Sequence, residues 1–565
     1  MGNLFSALNV AQSGLQAAQV QLDVASHNIS NVNTEGYSRQ RATLTTRSPE
    51  TETYGELGRG VQVSDIARVR EGFLDTVYRQ QVQGLGTASV RASYFTQIEN
   101  LFQEPGESGF GTQLSSFFNA LGNLANNVEE QSVRTSVITQ AQSLASSLNQ
   151  LAKQLYALRT NANEEVKNSV PDINSLTSRI ASLNTTISQS EIGGHKANDL
   201  RDERDQLLDQ LSKQVNISYR ERSDGQVDVF VSGDILVSGE DARGLVAEKD
   251  STIDPERSDL VTVRFADNGS AMDTQDGELY GALTARDTDL AEVSTRLDQI
   301  AGSIIQEINK IHSTGNGLEA LSGTISGTNA VSDPATALSS AGLPFDVTAG
   351  SFDVVVYDGS DAATVSTVTI TDATTLDDLV TSLNAIPNFS ASVGSDNTLR
   401  LGATGTYTFS FVNDSSGALT ALGINGLFTG YDASTIAVSE SIQENPSLLT
   451  SGYSTDVLDT GDNTAAIALA NVQNALVFDS GTATIQNFYE STIVRVGVNA
   501  QANSTTLNVQ QAFVDDFQAR RQEVSGVSID EEVTLLLQYE KAYQAAARVI
   551  TVADRMLDVL MNTAV

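Results

Sequence analysis

The chain has 565 residues, a length that predicts three or four domains. It carries 33 Lys and Arg against 70 Asp and Glu, a formal net charge of −37 without a basic cluster, which argues against nucleic-acid binding. Cysteine is absent, so disulfides, thiolate metal sites and cysteine catalysis are excluded.

The amino-terminal stretch predicts a helix with one apolar face. Apolar residues recur in alternating steps of three and four, the spacing of a coiled-coil seam: Leu8, Ala11, Leu15, Ala18, Leu22, Ala25 and Ile29. The stretch has neither a basic n-region nor a continuous apolar core, so no cleaved signal peptide is predicted. No run in the chain reaches the roughly 18 apolar residues of a membrane span.

An asparagine-rich segment should end this helix near residues 28–33. Asparagine side chains compete with helical hydrogen bonds, and Gly36 completes the stop. Residues 42–70 then alternate in part between apolar and polar side chains around three glycines, which predicts a hairpin or extended arm.

A long helical tract follows, with one seam before Pro171 and one after it. Proline should kink or restart the helix there. Residues 199–215 predict a further helix whose charges, including the pair Arg201 and Asp205, favour a solvated face. The two seams are Val137, Leu144, Leu148, Leu151, Leu155 and Leu158, then Ile173, Leu176, Ile180, Leu183 and Ile187.

The period changes to two after Val215, which predicts antiparallel strands to about Leu283. An apolar stripe from Leu290 to Ile311 then predicts that the chain becomes helical again. Residues 313–345 are rich in Gly, Ser, Thr and Ala and predict a linker. Residues 346–430 predict a second β-rich domain with one helix at 376–386.

The carboxy-terminal stretch repeats the pattern of the first helix. Its seam residues are Leu536, Tyr539, Tyr543, Ala546, Ile550, Ala553, Leu557 and Leu560. A seam at each end suggests that the ends pair and that the middle is inserted between them. Periodicity alone also allows each helix to pack on a local core of its own.

Nothing in the sequence supports catalysis, a cofactor or a metal. The three histidines, His27, His195 and His312, stand apart without zinc-ligand spacing. Phosphate-binding glycine motifs and a nucleophile elbow are absent, and adjacent carboxylates on a helix do not face each other.

The segment after the first helix resembles the axial proteins of the bacterial flagellum, which include rod, hook and hook-associated proteins. Their shared signature is here Asn28, Asn31, Asn33, Thr34, Gly36 and Tyr37. The tract from Asn198 to Ser212 resembles the hook-associated members rather than hook protein or flagellin, and residues 346–430 resemble a surface module of flagellins and hook-associated proteins.

The resemblance implies a structural protein of the hook–filament junction, exported through the flagellar type III apparatus without signal cleavage. It implies a ring of subunits and, as partners, the hook protein, a second junction protein and a cytosolic chaperone. Another axial protein (a third hook-associated protein or a flagellin) and a secreted adhesin remain alternatives. The residues expected to carry assembly are Leu8, Leu15, Leu22, Ile29, Leu536, Tyr543, Ile550 and Leu557.

The predicted fold is α+β and multidomain, with paired terminal helices, a long-helix stem and two inserted β-rich domains. Residues 1–35 and 527–565 form the terminal coiled coil. The stem comprises residues 36–214, 284–312 and 462–526, and the inserted domains are residues 215–283 and 313–461. The termini are expected to be disordered in the monomer and to order on assembly.

Overall fold

The computed structural model describes residues 2–52, 55–102, 109–358, 360, 362–453, 455 and 459–563. The chain mixes helices and antiparallel sheets, which confirms the predicted α+β class. None of the helices in these ranges is long and apolar enough to cross a membrane.

Helices dominate both ends and much of the middle. Thirteen α-helices lie in the described ranges: α1 (Gly2–Ser30), α2 (Gly72–Phe102), α3 (Phe110–Asn126), α4 (Gln131–Ser190), α5 (Asn198–Gln214), α6 (Glu278–Thr284), α7 (Leu290–His312), α8 (Leu376–Asn384), α9 (Ala418–Ala421), α10 (Glu440–Glu444), α11 (Thr464–Asn471), α12 (Ile485–Ser525) and α13 (Ile529–Thr563).

The strands fall into an amino-terminal arm and two later groups. The arm has β1 (Gln40–Thr46), β2 (Glu50–Glu52), β3 (Gly55–Leu57) and β4 (Val61–Arg68). The second group has β5 (Ile217–Glu221), β6 (Val227–Val231), β7 (Asp234–Ser238), β8 (Asp241–Ala242), β9 (Leu245–Lys249) and β10 (Val261–Phe265). The third has β11 (Thr324–Ser326), β12 (Gly350–Tyr357), β13 (Ala363–Ile370), β14 (Phe389–Val393), β15 (Leu399–Ala403), β16 (Thr408–Val412), β17 (Phe428–Thr429) and β18 (Ala437–Val438).

The chain forms two compact units, each assembled from separate segments. Unit 1 comprises Met1–Ser93, Thr160–Asp287 and Ala502–Val565, and unit 2 comprises Tyr94–Arg159 and Thr288–Gln501. The four-part division predicted from the sequence is finer than these units and stays a prediction.

In unit 1 the two terminal helices, α1 and α13, pack against each other. The arm pairs β1 with β4 in antiparallel register, with β2 and β3 as its tip. The arm lies on α1, since Val61 donates its backbone N–H to Oγ of Ser13 at 3.2 Å. The predicted arm is therefore present, and it is anchored to the first helix.

The first β insertion, which also lies in unit 1, is a four-stranded antiparallel sheet in the order β5-β6-β7-β8, followed by a β9–β10 pair. Its buried valines alternate along β6 and β10. Asn184 of α4 binds the backbone of this sheet, donating to the carbonyls of Val227 and Gly239 at 2.8 and 2.7 Å.

The helix does not restart at Pro171, which was one of the two predicted outcomes, because α4 runs unbroken through this residue. Proline deprives the carbonyl of Lys167, four residues earlier, of its helical partner. Pro171 is exposed and Lys167 is only half-buried, so water can bind that carbonyl, while Val170 and Ile173 hold the helix through their buried side chains.

Unit 2 is built around α7 and the third group of strands, β11–β18. The predicted apolar stripe of α7 is buried from Leu290 to Ile308, while Ile311 is half-buried. Asn309 exchanges two hydrogen bonds with the backbone of Phe428 at 2.7 and 3.0 Å. Two three-stranded sheets, β13-β12-β16 and β11-β15-β14, share an apolar core with α8.

Residues 313–345 do not form the linker that their composition suggests. Val331, Leu338 and Ala341 are buried in the core of the third strand group, and Leu321 exchanges backbone hydrogen bonds with Phe409 at 2.9 Å in both directions. Backbone bonds such as those from Val331 to Asn397 and from Leu338 to Thr374 tie the segment to distant parts of the chain, which its composition could not reveal.

Candidate assembly site at the paired termini

The inner face of α1 is lined by small side chains. Ala11, Ala18 and Ala25 are buried, whereas the larger predicted seam residues between them are only half-buried. Small side chains allow a neighbouring helix to approach closely, and the larger ones then flank the contact. The half-buried residues are Leu8, Leu15, Leu22 and Ile29.

The matching face of α13 is less covered. Ala553 is buried and Leu536, Ile550 and Leu557 are half-buried, while Tyr543 remains 36% exposed. The structure thus brings both predicted sets to one helix pair but buries the alanines more completely than the leucines. The side chain of Leu560 lies outside the described part of the chain.

The pair is antiparallel. Asn28, near the end of α1, contacts Glu532, near the start of α13. Ala11, near the start of α1, lines one cavity with Ala546 and Val549, further along α13. Residue numbers therefore fall on one helix as they rise on the other.

Asn28 is buried at the end of this helix pair, and its side-chain amide makes four hydrogen bonds. We call this cluster of contacts the joint. Its Oδ1 accepts from the hydroxyl of Tyr37 at 2.8 Å and from the backbone N–H of Gln40 at 2.9 Å. Its Nδ2 donates to the carbonyl of Gln40 at 2.9 Å and to Oε2 of Glu532 at 3.1 Å. The signature asparagine therefore connects its own loop to the opposite terminus.

Tyr37 is held as a hydrogen-bond donor. Burial raises the pKa of its phenol, and the carboxylates of Asp199, Asp202 and Glu532 raise it further. The hydroxyl also lies 3.0 Å from Nδ1 of His27. A neutral phenol is what the acceptor Oδ1 of Asn28 requires.

The other signature residues shape the turn rather than the joint. Asn31 donates to the carbonyl of His27 at 3.0 Å and accepts from Oγ1 of Thr34 at 3.1 Å. Gly36 has φ of +79°, a conformation that favours glycine. Asn33 is exposed. Some residues of the motif therefore form the joint, and others form the turn that follows α1.

Two residues outside the predicted set, Arg39 and Glu532, complete the joint. Nε of Arg39 donates to Oε1 of Glu532 at 2.7 Å, and the carboxylate is only 2% exposed. Nη1 of Arg39 binds the exposed Glu531 at 3.0 Å, and its backbone N–H donates to the carbonyl of Ser525 at 2.9 Å. The seam lattice of α13 extends back to Glu532, so a charged residue on the seam was the signal that the sequence offered.

The charged face of α5 is not solvated, contrary to the prediction. Asp202 accepts from the backbone N–H and Oγ of Ser38 at 2.8 and 2.7 Å, and from Nη1 of Arg68 at 2.7 Å. Asp205 binds Arg68, Arg70 and Arg79, at 2.7, 3.0 and 3.4 Å. These bonds hold the loop, the arm and α2 on α5, next to the terminal joint.

The electrostatics of this cluster follow from its burial. Burial alone raises the pKa of Asp205, but the guanidinium groups of Arg70, Arg79 and Arg68 outweigh it and hold that pKa well below its usual range. The predicted helical pair of Arg201 with Asp205 does not form, because Arg201 binds Glu191 and Glu221 instead, at 2.6 and 2.7 Å.

A cleft of about 840 Å³ lies beside the joint, lined by the loop, α2, α5 and the turn between α12 and α13. Its charged wall residues include Arg521, which bridges Asp75 and Asp209 at 2.9 Å each. Within the described residues no group of three or more His, Asp and Glu side chains is arranged to hold a metal ion.

The comparisons with known families cover both ends and the middle of the chain. Residues 95–327 match the model described as the helical domain of flagellar hook-associated protein FlgK. Residues 8–37 match a flagella basal body rod protein model, and residues 518–563 match the carboxy-terminal model of the basal body rod FlgEFG proteins.

Individual relatives align over nearly the whole chain. Flagellar hook-associated protein 1 of Bacillus subtilis is 28% identical over 100% of this chain and 99% of its own length. The Salmonella typhimurium protein of the same name is 28% identical over 99% of each chain. The flagellar hook junction protein FlgK from Burkholderia pseudomallei shares the fold, with a TM-score of 0.50 at 19% identity over 79% of this chain and 100% of that one.

Rod-type matches at two paired terminal helices, with β-rich insertions between them, define an axial structural component of the bacterial flagellum. Its similarity to flagellar hook-associated protein 1 over nearly the whole chain, with the FlgK helical-domain match, indicates a hook-associated structural protein of the hook–filament junction. The family of hook-associated protein 1 is structural, and it assembles with other flagellar axial proteins.

Proposed function

We propose that this chain forms a ring of subunits that couples the hook to the filament and permits filament assembly. Its neighbours along the axis are the hook protein and a second junction protein. The subunit leaves the cell through the flagellar export apparatus without signal cleavage, after a cytosolic chaperone has held its carboxy-terminal region. The assembled ring lies outside the cell.

The observation that supports this proposal is the apolar surface that α13 leaves exposed while it packs on α1. Helices of soluble proteins rarely expose so many large apolar side chains along one element unless another surface covers them. Neighbouring subunits around an axis would provide that cover. The exposed residues are Ile529, Val533, Leu537, Val549, Val552, Met556 and Val559.

The predicted seam residues have a defined part in this proposal. Leu8, Leu15, Leu22 and Ile29 on α1, with Leu536, Tyr543, Ile550 and Leu557 on α13, border the helix pair and are half-buried or exposed in the isolated chain. Packing against neighbours would bury them further, at roughly 25 cal/mol for each Å² of apolar surface. That gain would offset the side-chain entropy lost when these residues pack between subunits.

Deletion of the gene tests the proposal. Electron microscopy should show hooks that lack filaments, and the culture medium should contain unassembled flagellin, because exported filament subunits then have nothing to nucleate on. Complementation with the intact chain should restore filaments. Normal filaments in the deletion strain would refute the proposal.

A further inference from the structure

We propose that Asn28, Arg39 and Glu532 select the register in which α1 pairs with α13. The three residues form a polar cluster at the contact between the two helices. When their hydrogen bonds are made, α13 can pair with α1 in one register only. The inference deepens the proposed function, since subunits must present their termini in one register to pack alike. The register itself can be measured without assembly.

The apolar contact does not discriminate between registers by itself. Ala11, Ala18 and Ala25 are spaced by exact steps of seven along the buried face of α1. A shift of α13 by seven residues would therefore set an alanine opposite each seam position again. A seam of one repeated small residue is consequently prone to slip, and a single polar contact is the best-attested device for fixing register.

The cluster penalises such a shift strongly. Seven residues correspond to about 10.5 Å along a helix, well beyond hydrogen-bonding distance. The shift would separate Glu532 from both Asn28 and Arg39, whose contacts are 3.1 and 2.7 Å. A buried carboxylate and a buried amide would then both lose partners, which is costly for buried polar groups.

The orientation of Asn28 makes the contact specific. Three of its four hydrogen bonds go to Tyr37 and to the backbone of Gln40, within its own loop. The remaining N–H of Nδ2 can only be directed at α13, where it meets Oε2 of Glu532. The loop thus presents one fixed donor, and α13 presents one buried acceptor.

The register can be read from two points of contact. Asn28 and Ala11 are 17 residues apart on α1, and the two α13 residues that line a cavity with Ala11, Ala546 and Val549, lie 14 and 17 residues beyond Glu532. Leu15, four residues after Ala11, therefore lies opposite residues 542–545, next to Ala546, whose side chain is less exposed than that of Ala545. A shift by seven residues would place Leu22 there instead.

Engineered disulfides distinguish the two registers, because the chain has no cysteine of its own. One variant carries Leu15→Cys with Ala546→Cys, and a second carries Leu22→Cys with Ala546→Cys. Mild oxidation of the purified full-length chain is followed by gel electrophoresis and mass spectrometry. The first disulfide should form at least tenfold more than the second.

The same pairs are then combined with Glu532→Ala and, separately, with Asn28→Ala. The tenfold preference should fall to threefold or less in both. Glu531→Gln is the matched control: Glu531 also binds Arg39 but is exposed, so the preference should persist. The inference is overturned by an unchanged preference in both cluster variants, by no preference in the parent, or by loss of both disulfides, which would show that the cluster holds the pair rather than choosing its register.

Two separate measurements distinguish a failure of this inference from a failure of the proposed function. Failure of the ring proposal appears as normal filaments in the gene deletion, whatever the disulfides show. Failure of the register inference appears in the disulfide ratio, whatever the filaments show.

Discussion

Oδ2 of Asp205 accepts a hydrogen bond from Nη1 of Arg68 at 2.7 Å, joining α5 to the last strand of the arm across 137 positions of sequence. Arg70 and Arg79 bind the same carboxylate. Buried charge therefore holds the end of the arm on α5, and the stability of unit 1 should depend strongly on this one side chain.

Asp205→Asn should lower the free energy of unfolding by about 3–5 kcal/mol, because it removes one partner from a buried ion-pair cluster. Chemical denaturation of the purified chain at pH 7 measures the loss. Asp267→Asn is the control: it breaks the pair between Arg243 and the exposed Asp267, 2.9 Å long, and should cost far less than Asp205→Asn. Equal losses in the two variants would contradict this role of Asp205.

His312 should make unit 2 less stable in acid. Nδ1 donates to the carbonyl of Asn425 at 2.8 Å, and Nε2 accepts from the backbone N–H of Thr450 at 3.2 Å, so the ring is neutral. Burial lowers the pKa of His312 from 6.5 to about 4. The unfolded chain therefore binds a proton that the folded chain does not, and stability falls as the pH drops from about 6.5 towards 4.

The size of this loss approaches about 3 kcal/mol, at about 1.4 kcal/mol for each pKa unit. Other groups also titrate in this range, so the comparison is between variants. His312→Gln should lose less stability than the parent between pH 7 and pH 4.5, whereas His195→Gln, at an exposed position, should follow the parent. A parallel pH profile for His312→Gln would refute the assignment.

Ile550→Asp should abolish incorporation into flagella while both units remain folded. Ile550 is half-buried on the seam of α13, and a carboxylate there cannot be covered by apolar neighbours without a large desolvation cost. Filament counts by microscopy and circular dichroism of the purified chain test the two parts. Gln538→Asp places the same charge on an exposed position of α13 and should assemble normally. Filaments in the Ile550→Asp strain would contradict the prediction.

Gly277→Ala should destabilise unit 1 by about 2–5 kcal/mol. Gly277 has φ of +94°, and an added Cβ would lie 2.5 Å from the carbonyl oxygen of Gln214. Backbone strain contributes about 1–2 kcal/mol and overpacking about 1–3 kcal/mol. Gly233→Ala, with φ of +95° and open space around it, isolates the strain. Denaturation midpoints that shift equally would show that the close contact contributes nothing.

Local periodicity predicted the helices well, because an apolar stripe is a property of neighbouring residues. The stripe of α7 up to Ile308 and the first seam of α4 are buried where the spacing placed them. Charged contacts were predicted poorly, because their partners lie far apart in sequence. Arg201 and Asp205 have ideal helical spacing and yet bind Glu191 and Arg68 respectively. Glu532 could have been suspected only from its place on the seam lattice.

The hydrogen bond between Asn28 and Glu532 joins residues 504 positions apart, so it can form only after nearly the whole chain has been synthesised. Closing so long a loop from an unfolded chain costs about 3–4 kcal/mol more than closing one of ten residues. The joint is therefore expected to close late, after the intervening segments of the chain have folded and shortened the path. A polypeptide that ends before residue 532 leaves Asn28 and Arg39 without their carboxylate, and such a fragment cannot present paired termini to a neighbour.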